Sequence, residues 1–339
     1  VNEAIYGIKQ QLAAVPLGQV VIEKHQIADK KPFLTEHNLQ AAVDDLGKGK
    51  ILTYELWPGV ELSFRTYQAK QLFFCHNHLE QKIIEINHCR LGRIGWNMQN
   101  GGALYLGEGD MSLHDMNSCK HSQIAFPSDY YQGLYLSIDV KKADQVMETL
   151  MPDGACWRQV YEKYCRLSQN KATTFLRTAR IENLFEVLYE VPEELMLPYA
   201  RLKLQELLLY LLYAPDKPLL VNQYSASQVD TVKKVHDKLV DNLNKHYTIA
   251  ALANEFLLNQ TTLKAAFKRV YGQPIASHLR KHRMEYAKKI LAETNKPLAQ
   301  IAQEIGYASQ SKFSQSFKQT YGQTPSSYRL LLRKEEQNA

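Results

Sequence analysis

Between about Ile51 and Val140 the apolar positions come in short runs, such as Leu62-Ser63-Phe64, Leu72-Phe73-Phe74, Lys82-Ile83-Ile84-Glu85-Ile86 and Ala103-Leu104-Tyr105-Leu106. Turn signals separate them, among them Trp57-Pro58-Gly59, Asn100-Gly101-Gly102 and Gly107-Glu108-Gly109-Asp110. Strands of this length between Gly-rich turns predict a sandwich or small barrel. Asn100-Gly101 is the best single hairpin signal in the stretch.

From Lys141 onward the period lengthens to that of helices, notably over Arg177 to Glu190 and Tyr199 to Tyr213. In the second of these, Leu202, Leu204, Leu207, Leu208, Leu211 and Leu212 make a broad apolar face. Pro192 and Pro198 are expected to mark the helix starts. Such a Leu-rich helix serves either a dimer interface or its own barrel. The run Ala214-Pro215-Asp216-Lys217-Pro218 ends it, so the pattern divides the chain into a domain over 1–215, a polar joint over 216–228 and a helical domain over 229–339.

The helical domain repeats itself. Thr248 to Phe256 aligns with Pro297 to Ile305 at a constant offset of 49, with apolar, Ala and Glu positions coinciding. Past a turn the offset becomes 50: Leu263 meets Phe313, Phe267 meets Phe317, Lys268 meets Lys318, and Tyr271-Gly272-Gln273 meets Tyr321-Gly322-Gln323. One residue has been added in the second turn. Each copy reads as a short helix, a tight turn and a second helix ended by Gly, the plan of a helix-turn-helix unit, over about 248–272 and 297–322. Gly306 is expected to supply the positive φ of the second turn, with Ser309 capping the helix after it. In the first copy Asn259 is the expected cap, but the turn position is Leu257, a departure costing on the order of 1 kcal/mol if the left-handed conformation is kept.

Between the copies, Ile275 to Glu293 reads as one continuous helix with Ile275, Leu279, Met284, Ala287, Ile290 and Leu291 inward. A stiff helix fixes the separation of two units, and duplex DNA presents the same groove every ~34 Å, so a single chain could read successive major-groove segments of an asymmetric site. Once core positions are removed, Thr261, Thr262, Lys264, Ala265 and Lys268 face outward in the first copy. In the second copy the outward set is Gln310, Ser311, Lys312 and Gln315, with Lys318. Gln can pair with adenine, Thr with a thymine methyl, and Lys with guanine or phosphate, which makes these the candidate base readers. Arg280, Lys281, Arg283, Lys288 and Lys289, together with Lys318 and Arg329, are the expected phosphate contacts.

Charge supports this division. The net charge over all 339 residues is +6, but from Val229 to the end there are 18 Lys+Arg against 9 Asp+Glu, leaving 23 against 26 upstream, so the two parts carry +9 and −3. A polyanion-binding module joined to a part that binds none would look this way. With 45% hydrophobic and 22% charged residues the chain is expected to fold throughout, and its length suggests two domains. No run approaches the ~18 apolar residues of a membrane span. An N-terminus with Glu3 and Lys9 is unlike a secretory leader, so a cytoplasmic location is expected. Cys75, Cys89, Cys119, Cys156 and Cys165 are dispersed and form no CxxC pair, so reduced, mostly buried thiols are expected rather than a disulfide framework or zinc finger.

Ile305-Gly306-Tyr307, Ser309, Ser311, Phe313-Ser314, Phe317-Lys318, Tyr321-Gly322, Thr324-Pro325-Ser326 and Tyr328-Arg329 resemble the signature of the AraC/XylS family of bacterial transcription regulators. The resemblance covers about Val229 to Arg329. It implies an α+β chain in which a cupin-like β-barrel sensor domain with C-terminal helices precedes an all-α domain of two helix-turn-helix motifs. It further implies double-stranded DNA, a small-molecule effector and RNA polymerase as partners, homodimerisation, an activator role, and neither enzymatic activity nor a cofactor. Leu263-Lys264, Phe267-Lys268, Val270-Tyr271-Gly272, Leu279-Arg280 and Arg283-Met284 with Ala287 are similar to the branch of pyochelin- and yersiniabactin-type siderophore regulators. Ile84-Glu85-Ile86, Gly92-Arg93, Tyr105 to Asp110, and Phe126-Pro127 with Tyr131 and Gly133 resemble their sensor domains, which implies an iron chelate or another small molecule bound in or near the barrel.

Two enzyme classes would leave marks in this sequence. A metal-holding cupin would draw on His76, His78, Glu80, His88, His114 and His121, but its Glu should stand four or five residues after the His pair, where this chain has Lys82 and Ile83. A DNA-repair methyltransferase would need clustered reactive thiols, which the dispersed cysteines do not supply. A purely architectural DNA binder, with the N-terminal domain acting only to dimerise, stays open.

Overall fold

A computed structural model of the chain describes residues 2–25, 40–43, 47–75, 81–98, 101–166, 172–213 and 224–337. Two compact units emerge, Val1–Ala226 and Ser227–Ala339, the first rich in sheet and the second helical. Among the described residues no helix is long and apolar enough to cross a membrane.

The N-terminal unit opens with an amphipathic helix, α1 (Asn2–Gln11), and a strand, β1 (Gln19–His25), neither of which the hydrophobic runs predicted. Ile8 of α1 and Leu12 just past its end are fully buried in a small cluster with Val15. Next come β2 (Gln40–Val43), β3 (Lys48–Trp57), β4 (Val60–Gln68), β5 (Gln71–Cys75), β6 (Ile83–Gly92), β7 (Ile94–Met98), β8 (Gly102–Leu106), β9 (Met111–Asp115), β10 (Cys119–Ala125) and β11 (Tyr131–Asp139). Two short strands complete the set, β12 (Thr173–Phe175) and β13 (Tyr224–Ser225). Among the described residues they form a seven-stranded sheet in the order β1-β3-β4-β11-β6-β9-β12 and a six-stranded sheet in the order β13-β8-β7-β10-β5-β2. The hairpin expected near Asn100-Gly101 joins β7 to β8 with Asn97 opposite Ala103; Asn100 itself lies outside the described residues.

Alternation sorts side chains between two cores. Ile51, Tyr67, Leu72, Cys89, Trp96 and Leu104 meet in one core, drawn from both sheets. From the seven-stranded sheet, Leu56, Leu62, Ile86, Leu113, Leu136 and Ile138 enter a second core with the helices that follow. Those helices are α2 (Val140–Leu150), capped by Asp139 accepting from the Lys141 and Lys142 amides, α3 (Trp157–Tyr161), α4 (Ala179–Phe185) and α5 (Glu193–Tyr213).

α5 corrects two expectations. It begins at Glu193, so Pro198 lies inside it rather than at its start. Two glutamates in the first turn favour that earlier start, since they sit at the positive end of the helix dipole. Leu204, Leu207, Leu208 and Leu211 are buried as the pattern implies, whereas Leu202 is 64% exposed.

The C-terminal unit comprises α6 (Ala226–Asp241), α7 (Ile249–Glu255), α8 (Gln260–Tyr271), α9 (Ile275–Glu293), α10 (Leu298–Glu304), α11 (Gln310–Tyr321) and α12 (Pro325–Gln337). The α7–α8 pair keeps Leu252, Ala253, Leu263, Ala266, Phe267 and Val270 buried. The α10–α11 pair packs Ile301, Ala302, Ile305, Phe313 and Phe317 against Met284, Ala287, Ile290 and Leu291 of α9.

Candidate nucleic-acid interface

The two turns that set the outward helices are built alike. In the first, Leu257 takes φ 54° and the Leu258 amide donates to the Ala253 carbonyl at 2.9 Å; in the second, Gly306 takes φ 76° and the Tyr307 amide donates to the Ala302 carbonyl at 2.8 Å. Both are left-handed terminations in which the amide after the turn residue reaches back to close the last orphan carbonyls. Leu257 keeps this conformation without a glycine's freedom, its side chain 92% exposed.

Each following helix then starts on a side-chain cap. Asn259 Oδ1 accepts from the Thr262 amide at 2.7 Å, and Ser309 Oγ accepts from the Lys312 amide at 3.3 Å. One residue separates Leu257 from Asn259, and two separate Gly306 from Ser309, which locates the added residue between turn and cap. α8 and α11 end alike on left-handed Gly272 and Gly322, whose amides donate to Lys268 and Lys318 carbonyls.

The exposed faces carry most of the expected readers. Thr261, Lys264, Ala265 and Lys268 are exposed on α8, and Thr262 is half-buried. Gln310, Ser311, Lys312, Gln315 and Lys318 are exposed on α11. On α9, Arg280, Lys281, Lys288 and Lys289 are exposed, with Lys281 3.8 Å from Glu285 and the Lys288 ammonium 5.5 Å from the centre of the Tyr321 ring.

Arg283 departs from its expected role as a phosphate contact. It is buried, and its Nε and Nη2 donate to the carbonyls of Leu243 at 2.8 Å and Lys245 at 2.9 Å. Burial lowers its pKa from the ordinary arginine value. Its guanidinium thus ties α9 to the turn just past α6, supplying donors to two carbonyls that no helix satisfies. Arg329 is half-buried, with Nε and Nη2 lacking a hydrogen-bond partner among the described residues; burial, then Arg333, lowers its pKa.

The N-terminal unit holds a second polar assembly. Positions of β4, β6, β9 and β11 that alternate with the helix-facing core place Arg65, Glu85, His114 and Tyr135 together, buried. His114 Nε2 lies 2.9 Å from Glu85 Oε2, the Tyr135 hydroxyl donates to Glu85 Oε1, and the Arg65 guanidinium carbon stands 3.6 Å from the Tyr135 ring centre. Arg65 Nε and Nη2 have no hydrogen-bond partner among the described residues. On the opposite face, His88 stacks on Phe185 with ring centroids 4.4 Å apart, and burial, aided by the Arg90 charge, pushes its pKa down to about 4. His76, His78 and Glu80 lie outside the described residues, as does the side chain of His121. Cys89 and Cys165 are buried and Cys156 half-buried, and burial pushes the Cys89 and Cys165 thiol pKa values up. A further grouping, His236 with His278 and His282, escaped sequence reasoning. The four-residue spacing of the last two on a helix was its only signal.

Comparison with known proteins bears on the C-terminal unit. Residues 252–330 match the family model described as a helix-turn-helix domain. The chain is 36% identical over 107 residues to the probable transcriptional regulator LumQ of Photobacterium leiognathi, covering 30% of this chain and 43% of that protein. It is 32% identical over 159 residues to the HTH-type transcriptional regulator ExsA of Pseudomonas aeruginosa, covering 46% of this chain and 55% of ExsA. With the virulence regulon transcriptional activator VirF of Yersinia enterocolitica it shares 29% identity over 130 residues, covering 38% of this chain and 48% of VirF. The chain thus spans about half the length of the curated relatives it matches. Residues 252–330 are accordingly a helix-turn-helix domain similar to those of AraC-like transcription regulators.

Proposed function

We propose that the chain is a sequence-specific transcription regulator that reads duplex DNA with α8 and α11 and answers to a small molecule held in its N-terminal unit. The observation that carries this reading is the pair of matched turns at Leu257 and Gly306, each followed by a capped helix with an exposed polar face. Thr261, Thr262, Lys264, Ala265 and Lys268 read bases from the first helix, and Gln310, Ser311, Lys312 and Gln315 from the second. Arg280, Lys281, Lys288, Lys289, Lys318 and Arg329 hold phosphates. The 19 residues of α9 amount to about 28 Å of helix, close to the ~34 Å groove repeat of the duplex.

Effector control rests on Arg65. A buried guanidinium with unpartnered N–H groups is costly, which favours an anionic guest between the facing sheets, in this reading a cupin-like barrel. A carboxylate-bearing iron chelate is one molecule of this class. Homodimerisation is supported by α5, where Leu195, Leu202 and Leu209 recur every seven residues with Tyr199 and Tyr213 between and beyond them, all exposed. That is the a/d spacing of a two-helix seam. The dimer acts as an activator through contact with RNA polymerase.

Selection of bound duplexes from a random pool tests the reading. Enrichment of an asymmetric site with two blocks about 10 base pairs apart is expected. Equal binding to every duplex at moderate salt overturns it.

A further inference from the structure

α6 and α9 bring three imidazoles together within the C-terminal unit. His278 and His282 stand four residues apart on α9, so their rings share one face of that helix. His236 reaches the same point from α6. His278 Nε2 lies 2.8 Å from His236 Nδ1 and 3.1 Å from His282 Nε2, and one ligand atom from each residue falls within 4.8 Å of the others.

Two polar side chains stand beside the outward ring nitrogens. Gln273 Nε2 lies 3.1 Å from His278 Nδ1, and Glu285 Oε2 lies 3.7 Å from His282 Nδ1, just beyond hydrogen-bond reach. An acceptor on the outward ring nitrogen would hold the proton there and free the inward nitrogen to ligate a metal, so the site asks for the Gln273 amide turned with Oε1 toward His278 and for Glu285 drawn onto His282. A half-turn of the Gln273 amide exchanges its Oε1 and Nε2 at the same distance. His278 is 4% exposed, and the His236 ring is fixed by stacking on Tyr271 at 4.5 Å.

We propose that His236, His278 and His282 form a binding site for a first-row divalent cation, with Zn2+ the best match to an all-imidazole donor set. Imidazole nitrogens suit Zn, Cu, Ni and Fe, and zinc takes three protein ligands with a fourth position left to water. The two separations from His278 Nε2, 2.8 and 3.1 Å, lie just inside the roughly 3.3 Å edge of a tetrahedron with ~2.05 Å metal–nitrogen bonds, and the His236–His282 pair stays within 4.8 Å, so side-chain rotations would bring all three to one ion. The cation would clamp the helix before the first repeat to the helix that joins the repeats, and so couple the stability of the unit to metal concentration.

The full chain, stripped by chelator, is titrated with ZnCl2 by calorimetry and with CoCl2 by absorbance. One zinc equivalent is expected in the wild type and is lost in His282→Gln and in His236→Gln, with far-UV circular dichroism unchanged. Cobalt is expected to give tetrahedral bands without thiolate charge transfer. The same zinc stoichiometry in wild type and both variants, or cobalt bands that arise only with thiolate charge transfer, overturns the site. Should the histidine variants unfold, Glu285→Gln and Gln273→Leu leave all three ligands in place. A loss of about tenfold in zinc affinity is then expected, and unchanged affinity in both overturns the proposal.

Discussion

The Arg283 guanidinium passes directly beneath Gly306: a Cβ added to Gly306 would stand 2.7 Å from Arg283 Nη2 and 2.8 Å from the Leu243 carbonyl. Two demands therefore meet at Gly306, a left-handed backbone and a close approach. Gly306→Ala is expected to destabilise the C-terminal unit by about 2–4 kcal/mol. In an Arg283→Ala background the same change should cost measurably less, because part of the clash is gone. Urea unfolding followed by circular dichroism checks both, and strictly additive losses would contradict the contact.

Exposed readers and exposed clamps should fail differently. Gln315→Ala is expected to relax preference at one base pair by about 1–3 kcal/mol while leaving other positions unchanged. Lys288→Ala should weaken all sites alike and reduce the salt slope by about one. Fluorescence anisotropy on a panel of single-base site variants at several salt concentrations separates the two outcomes.

The α5 seam predicts a change of assembly. Leu202, at 64% exposure, contributes little to its own unit, so Leu202→Glu should leave the melting temperature of a monomer unaffected while placing a charge in the helix pair. A shift from dimer to monomer in analytical ultracentrifugation is expected. A dimer that persists in this variant would place the interface elsewhere.

His88 gives the N-terminal unit a pH dependence of definite sign. An unfolded histidine takes up its proton near pH 6.5, whereas the folded one does so only at about 4. Between these values the unfolded chain binds more protons, so stability is full above pH 6.5 and declines as the pH falls toward 4, by roughly 3 kcal/mol in total. The three tryptophans, Trp57, Trp96 and Trp157, all lie in this unit, so denaturant curves followed by tryptophan fluorescence report it alone. His88→Leu should flatten the decline.

Much of the C-terminal unit was legible because its signals are local. Asn259 and Ser309 as caps, Gly306 as the turn, the unbroken helix from Ile275 to Glu293 and the shift in repeat offset each depend on residues within a few positions of one another. Arg283 was misread because its partners, Leu243 and Lys245, lie some forty residues away, and a basic residue on a helix is outward unless tertiary contacts say otherwise. Distance in sequence also hid His236 from His278. α1 was missed because its polar face is dense and, among its described side chains, Ile8 alone is buried, with Leu12 just beyond the helix end, too few positions to establish a period.

If both helix pairs read one duplex as proposed, the extra residue between Gly306 and Ser309 gives the bound molecule a direction. Two helix pairs that are alike but not interchangeable meet a duplex in one orientation only, so an inverted site would present each half to the wrong partner. Under the proposed reading, which end of the chain points downstream along a promoter is then written into the spacing of one turn, and flipping a site end for end should silence it even though every base pair is retained.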